Sequence, residues 1–413
     1  MKYSLYLLSL MLGGCLASCG SAGEQAIEDT WTPIAHWEVI KGDSVMVAEV
    51  DKAEVETTLP LDLIAEDYQI VKLDKEAEDY SVLSNALITE NYIGLFCYGY
   101  APFRLFKRDG TFLTQIGSLG EEENGKYRTV SNAQIDEANN RIYILPENIK
   151  ETPTSIRKIS IKDPVLLVYD LEGNFLQEIP LACWIGHGGC FKVDAEKGKI
   201  IVIGNEVSPE GESYRVWLQD MKGNLIYGIH DEDKKNDDCF GYATVSLNHT
   251  DAIETFAEVA SESPINRKKT EYLYHLNLEE HRLVPKFQAI TKEIRNLVYE
   301  LPSYYIVESI VHAGKADVKT PRSIVDKKTL KGARFNGFVT PDGLLLNHYI
   351  LLSKTHNGYF SLVEKESRIL ERIQKTDKSK LTKEQRKKLE QLYQQLNSDK
   401  NDDTILFIAK FKK

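Results

Sequence analysis

Along most of the chain, apolar and polar residues alternate in short runs broken by turn residues, the period of half-buried β-strands rather than helices. The clearest stretch runs from Phe103 through Asp109 and Gly110 to Ile116. An alternating run enters Asp-Gly and another leaves it, which is a strong hairpin signal. The unit recurs around Gly173, from Leu167 to Ile179, and around Gly223, from Val216 to Ile229. Weaker copies run from Leu273 to Leu283 and from Phe338 to Leu346. Between these hairpins lie further strand pairs, such as Val130–Asp136 with Arg141–Leu145, turned by Asn139 and Asn140. The turn glycines stand 63 and 50 residues apart. A period of about 40–50 residues carrying four strands is the signature of a propeller blade, so the excess length implies inserted loops.

Two segments depart from the alternation. Residues 381–396 place Leu389, Leu392, Tyr393 and Leu396 at helical spacing behind Thr382 and Gln385, the pattern of a capping box. A helical insertion over about 366–397 is expected, decorating a blade rather than docking a partner. Thr404–Phe411 is then a final strand, apolar on both faces. It is expected to pair with an early strand such as Tyr68–Leu73, closing the ring with strands from both termini. The expected fold is all-β: a six-bladed β-propeller of four-stranded antiparallel blades over residues 61–413.

The first 19 residues read differently. Lys2 precedes an apolar run, Tyr3–Leu12, too short to span a bilayer and suited to an export signal. The run ends in Leu16-Ala17-Ser18-Cys19, which looks like the lipobox of a bacterial lipoprotein, with Cys19 the lipidated residue. Leu12-Gly13-Gly14-Cys15 has nearly the same pattern, but Cys19 leaves the longer apolar run. The position after Cys19 is Gly20 rather than Asp, which favours the outer membrane. Residues 20–30 are small and polar, as a flexible tether requires. The expected organisation is therefore a signal peptide over 1–19, a tether and N-terminal segment over 20–60, and the propeller.

Of the 413 residues 27% are charged, with a net charge of −11, or −12 once Lys2 leaves with the signal. Such a chain has no electrostatic footprint for nucleic acid. Its body contains Cys97, Cys183, Cys190 and Cys239. Export permits a disulfide between Cys183 and Cys190, while small buried thiols are the simpler expectation.

These features resemble the six-bladed β-propeller lipoproteins of Bacteroidetes, related at fold level to TolB-like and NHL-repeat propellers. The resemblance rests on Ile70-Val71-Lys72-Leu73, on the blade unit Phe106–Gly117, on the glycine-containing turn Gly117–Tyr127 and on Asn401–Thr404. It implies a fold and carries almost no catalytic information.

No nucleophile elbow, P-loop, dinucleotide fingerprint or metalloprotease motif is present. Gly117–Gly125 is too acidic to cradle phosphate. The loop of His187 and Cys190 offers one imidazole and two nearby thiols, too few for a metal. Asp231–Asp238 lacks the spacing of a calcium loop. His36, His230, His249, His275, His281, His312, His348 and His356 are candidates only if blades bring them together at the central channel. No catalytic, cofactor-binding or metal residue is assigned, and no cofactor is expected. The reading is a lipid-anchored envelope module that binds a protein, peptide or glycan. The alternative is a metal-dependent hydrolase or lyase with its site at the central channel. Three or more convergent Asp, Glu, Asn or His side chains there would favour the enzyme; an aromatic or mixed polar rim would favour recognition.

Overall fold

The computed structural model describes residues 28–54, 56–80, 84–97, 101–120, 125–146, 160–161, 164–183, 185–186, 189–204, 214–230, 240–244, 254–260, 272–291, 295–310, 322–346, 355–356, 358–397 and 402–412. They form an all-β, propeller-like arrangement of four-stranded antiparallel sheets with few helices, and six of the sheets have four strands or more. Sheet I contains Asn85–Ile88, Tyr92–Phe96, Phe103–Lys107 and Phe112–Ile116. Sheet II contains Val130–Asp136, Arg141–Pro146, Val165–Tyr169 and Phe175–Pro180. Sheet III contains Cys190–Asp194, Lys199–Ile203, Tyr214–Asp220 and Leu225–His230. Each is a simple up-and-down meander in chain order.

Sheets IV and V follow the same order with added strands. Sheet IV runs Phe240–Thr244, Glu254–Ala260, Leu273–Asn277 and Arg282–Ile290. Two N-terminal strands extend it: Asp43–Glu49 pairs parallel to Arg282–Ile290, and Ala35–Ile40 lies outside that. Sheet V runs Arg295–Glu300, Tyr304–Ile310, Arg322–Asp326 and Lys331–Val339. Thr32–Pro33, Glu56–Pro60 and Leu345–Leu346 attach to its last strand. The described part of the N-terminal segment therefore forms no sheet of its own and lies on the outer edges of two others. The Phe338–Leu346 copy of the hairpin is likewise such an edge addition, not the central hairpin of a sheet.

Sheet VI joins the two ends of the body. Thr355–His356 and Tyr359–Lys365 are followed by Thr404–Phe411, whose far side is taken by Ala65–Lys72. The pairing is antiparallel, with Ile405 opposite Lys72 and Phe407 opposite Ile70. The closure expected from the apolar C-terminal run is present. Ile405, Leu406, Phe407, Ile408 and Ala409 are all fully buried, because a strand between two others with sheets on both faces meets no water.

Neighbouring sheets share apolar clusters in series. Leu105 with Ile142 joins I to II, Tyr143 with Phe191 joins II to III, and Val216 with Leu276 joins III to IV. Phe287 stacks on Tyr305 between IV and V, with ring centroids 4.1 Å apart. Ile306 with Phe360 joins V to VI, and Leu406 with Ile93 joins VI back to I.

The turn around Gly110 is not a two-residue loop. Gly110 N donates to Lys107 O and Lys107 N to Thr111 O, with Gly110 at φ 96°. That is a type I turn closed by a left-handed glycine and a bulge. The same pattern recurs at Asp170–Asn174 and Asp220–Asn224, where the leading Asp side chain also accepts from the Asn backbone at 2.8 and 2.9 Å. Each Asp satisfies turn donors that would otherwise need water.

The helical insertion is present within the connection between Tyr359–Lys365 and Thr404–Phe411. It comprises α1, Glu366–Lys375, and α2, Lys383–Leu396. Thr382 Oγ1 accepts from Gln385 N at 3.1 Å while Gln385 Oε1 accepts from Thr382 N at 3.0 Å, so the capping box closes both ways. Ile369, Ile373, Leu389, Leu392 and Leu396 join the cluster between sheets V and VI. The insertion is packed decoration.

Candidate functional site

Successive strands run in opposite directions, so the connections of every sheet alternate between two edges. At one edge lie the tight turns 108–111, 137–140, 170–174, 195–198, 221–224, 278–281 and 327–330. At the other lie the strand ends that border 147–164, 204–213, 231–239, 261–272 and 311–321, and the helical 366–397. Most of the extra sequence between the hairpins joins strand ends on that side, while 245–253 of sheet IV joins strand ends on the first. Loops on a rigid scaffold are where propellers and similar folds carry recognition.

The described chemistry at that edge gathers where sheets III and IV meet. Tyr214 and Arg215 open the third strand of sheet III, His230 ends its fourth, and Tyr272 and Tyr274 open the third strand of sheet IV. The Arg215 guanidinium lies 4.9 Å from the Tyr274 ring centroid, a cation–π distance. The Tyr214 and His230 rings are 4.4 Å apart, and Tyr272 stands edge-on to Tyr274 at 5.9 Å. Nε and Nη2 of Arg215, the donors along one edge of the guanidinium, are buried and have no hydrogen-bond partner. Half-exposed Tyr and Arg are the side chains most enriched where proteins bind one another. The sequence reading missed this group apart from His230. Its only local signal is an aromatic residue beside each strand start that follows a long connection.

Sheet V buries a carboxylate on each face, Glu308 towards the long-connection edge and Glu300 at the tight-turn edge. Alternate residues of Tyr304–Ile310 face opposite ways: Tyr304 and Ile306 pack towards sheet VI, and Tyr305 and Val307 towards sheet IV. Glu308 shares the first face, fully buried, and accepts from Arg322 Nε at 2.7 Å. Its second oxygen has no hydrogen-bond partner. Burial outweighs Arg322, and the Glu308 pKa is pushed up to about 7. Glu300 has the opposite balance. It is also buried, but it accepts from His275 Nε2 and Lys327 Nζ, both at 2.5 Å. Desolvation is the largest single influence on it, yet the two partners together hold it well below the usual carboxylate range. Lys327 also lies 4.6 Å from the Tyr305 ring centroid.

The other candidates from the sequence do not converge. His36 pairs with exposed Glu38, and His281 stacks on Tyr227 at 3.9 Å. His187, His249, His312, His348, Cys239, Asp231–Asp238, Cys15 and Cys19 lie outside the described residues, as does the side chain of His356. Cys183 and Cys190 are not disulfide-bonded to each other; Cys190 is buried and its thiol pKa is driven up by desolvation. Gly117 and Gly125 flank a short parallel pair, Ser118–Leu119 with Lys126–Tyr127. Tyr127 Oη there donates to Ile116 O at 2.5 Å and accepts from Phe103 N at 2.8 Å, so the described part of the turn serves packing. Among the described residues, no three His, Cys, Asp or Glu side chains are grouped to hold a metal.

Comparison with known proteins bears on the fold. No family model matches the chain, and no curated protein matches it. A solved structure of a protein from Bacteroides fragilis, described as exported, superposes with a TM-score of 0.54 at 14% identity. The match covers 87% of this chain and 99% of that one. A member of the DUF4221 family from Bacteroides vulgatus gives 0.40 at 10% identity, over 84% and 97% of the two chains. The first likeness supports the propeller-like fold, and identities this low say nothing of activity.

Proposed function

We propose that this chain is a lipid-anchored propeller of the cell envelope that holds a protein, peptide or glycan partner on its long-connection edge. The observation that carries the reading is the Arg215, Tyr274, Tyr214 and His230 group, set at the strand ends that border 204–213, 231–239 and 261–272. A half-exposed guanidinium lying over an aromatic ring favours a partner that presents an acidic group beside an apolar or sugar ring. The six sheets and the apolar clusters that link them in series support a six-bladed ring. The apolar leader ending at Cys19 supports acylation there, and Gly20 supports the outer membrane. The described-as-exported Bacteroides neighbour agrees with an envelope location.

Site-specific photocrosslinking in cells tests the reading. A photoreactive residue at Tyr272 should give discrete adducts that Arg215→Ala reduces severalfold. The same residue at Lys222, in a tight turn of sheet III, should give none. Equal adducts at both positions, or adducts at Lys222 alone, would overturn it.

A further inference from the structure

The outermost strand of sheet IV, Ala35–Ile40, has no strand on its outer edge among the described residues and is exposed along its middle. Trp37 is 52% exposed and Val39 77%, the two most exposed large apolar side chains among the described residues. They alternate with His36 and Glu38, so both lie on one face of the strand. A long exposed edge bearing apolar side chains invites pairing or aggregation unless something covers it. Trp31 and Trp217, by contrast, are buried.

The route of the chain says what could cover this strand. Glu28, the first described residue, hydrogen-bonds Tyr304 of sheet V. The chain then passes Thr32–Pro33 on the outer edge of sheet V and enters Ala35–Ile40 directly. The body's N-terminal entry is therefore on its outer rim, at sheets IV and V. Only nine peptide steps separate Glu28 from Cys19. Nine residues reach about 30 Å fully extended, and as a flexible coil about 16 Å. An acyl anchor at Cys19 would keep the bilayer surface within that distance of this rim. Trp has an apolar body and one N–H donor, the combination that favours the membrane interface.

We infer that the rim strand Ala35–Ile40 faces the membrane, with Trp37 and Val39 seated at the lipid interface. This rests on acylation at Cys19, proposed above. Partly exposed fourth-strand apolar groups such as Leu113 of sheet I, 37% exposed, belong to other parts of the rim and face water. The long-connection edge then stands roughly perpendicular to the bilayer plane, open to a partner from the side.

Brominated-lipid quenching of tryptophan tests this on the full acylated chain carrying Trp184→Phe, in phosphatidylcholine vesicles. Mass spectrometry establishes the acyl chains first. Shallow bromines should quench the emission at least twofold more in this chain than in its Trp37→Phe derivative. Adding Leu113→Trp to that derivative should not restore the quenching. An acylated, vesicle-bound chain whose Trp37 stays unquenched overturns the orientation while leaving the anchor intact. A chain that carries no acyl group and stays off vesicles overturns the anchor, and the orientation with it. Concentration-dependent shielding of Trp37 without vesicles would assign the strand to a second copy instead.

Discussion

Gly110, in the hairpin turn of sheet I, sits against the carbonyl of Lys72 at the end of the outer strand of sheet VI: a Cβ on Gly110 would lie 2.2 Å from that oxygen. The contact repeats around the body. Gly173 meets Gln115 O of sheet I, and Gly223 meets Pro180 O of sheet II, at 2.8 and 2.9 Å by the same measure. Gly110→Ala should therefore combine a strained positive φ with a backbone clash. Positive φ alone costs about 1–3 kcal/mol. Gly42 has φ 91° with nothing within 4 Å, so Gly42→Ala isolates that part. Urea unfolding should show Gly110→Ala as the larger loss; equal losses would mean sheet VI yields to the methyl group.

Deleting residues 403–413 should destabilise the whole body, because it removes the strand between Tyr359–Lys365 and Ala65–Lys72 and leaves two unpaired edges. Size-exclusion chromatography should find aggregates, and calorimetry should find no cooperative transition near that of the parent. A monomeric deletion that melts like the parent would place the closure elsewhere.

The polar stretch before that strand is not uniformly dispensable. Asp402 Oδ1 accepts from Ser367 N at 2.8 Å, capping α1 from outside the helix. Asp402→Ala should cost about 1 kcal/mol, the usual size of a lost cap, and Asp402→Asn much less. Matching denaturation curves for the two variants would deny the cap.

Glu308 makes stability pH-dependent in an uncommon direction. Its folded pKa of about 7 lies above the ordinary carboxylate value of 4.5, so the folded state holds the proton longer. That contribution is complete below about pH 4.5 and is lost as pH rises through 7, a change of about 3 kcal/mol at 1.36 per unit. Glu308→Gln, which can still accept from Arg322, should flatten the slope between pH 5 and 7.5. Parallel slopes in parent and variant would show that Glu308 titrates normally.

Glu300 works the other way. Its pKa is lowered by His275 and Lys327, so its contribution is present above pH 4.5 and lost as pH falls below that value. Glu300→Gln should be destabilising at pH 7 and nearly neutral in strong acid. A pH-independent loss would assign the effect to packing.

Acylation is read directly in cells. An alkynyl fatty acid should label the parent protein and spare Cys19→Ala. Equal labelling of both would move the anchor to Cys15.

The hairpins of sheets I to III are legible in the sequence because everything that makes them is local: alternation on both sides of a glycine that takes a left-handed conformation. The C-terminal closing strand is legible for a related reason, since a run apolar on both faces must be an interior strand. Non-local pairing hides the rest. Asp43–Glu49 gives no hint that it will lie parallel to Arg282–Ile290, some 240 residues later. Tyr214 and Arg215 gain meaning only when Tyr272 and Tyr274 arrive from the next sheet. Glu300 and Glu308 are both ordinary strand glutamates in the sequence, and only the donors each meets in the fold send their pKa values in opposite directions.

The partnership of Ala65–Lys72 with Thr404–Phe411 also sets an order of events for a chain that emerges N-terminus first. The early strand leaves the ribosome, and in an exported protein the translocation channel, more than 330 residues before its partner. Sheets I to III can each zip from neighbouring hairpins while it waits. The fourth strand of sheet VI has nothing to pair with until Thr404–Phe411 is free. Such a high sequence separation makes the closing step the slow one, and until then the molecule is an open arc with adhesive ends. A holding chaperone would act on that arc, and the arrival of Thr404–Phe411 decides when its work is over.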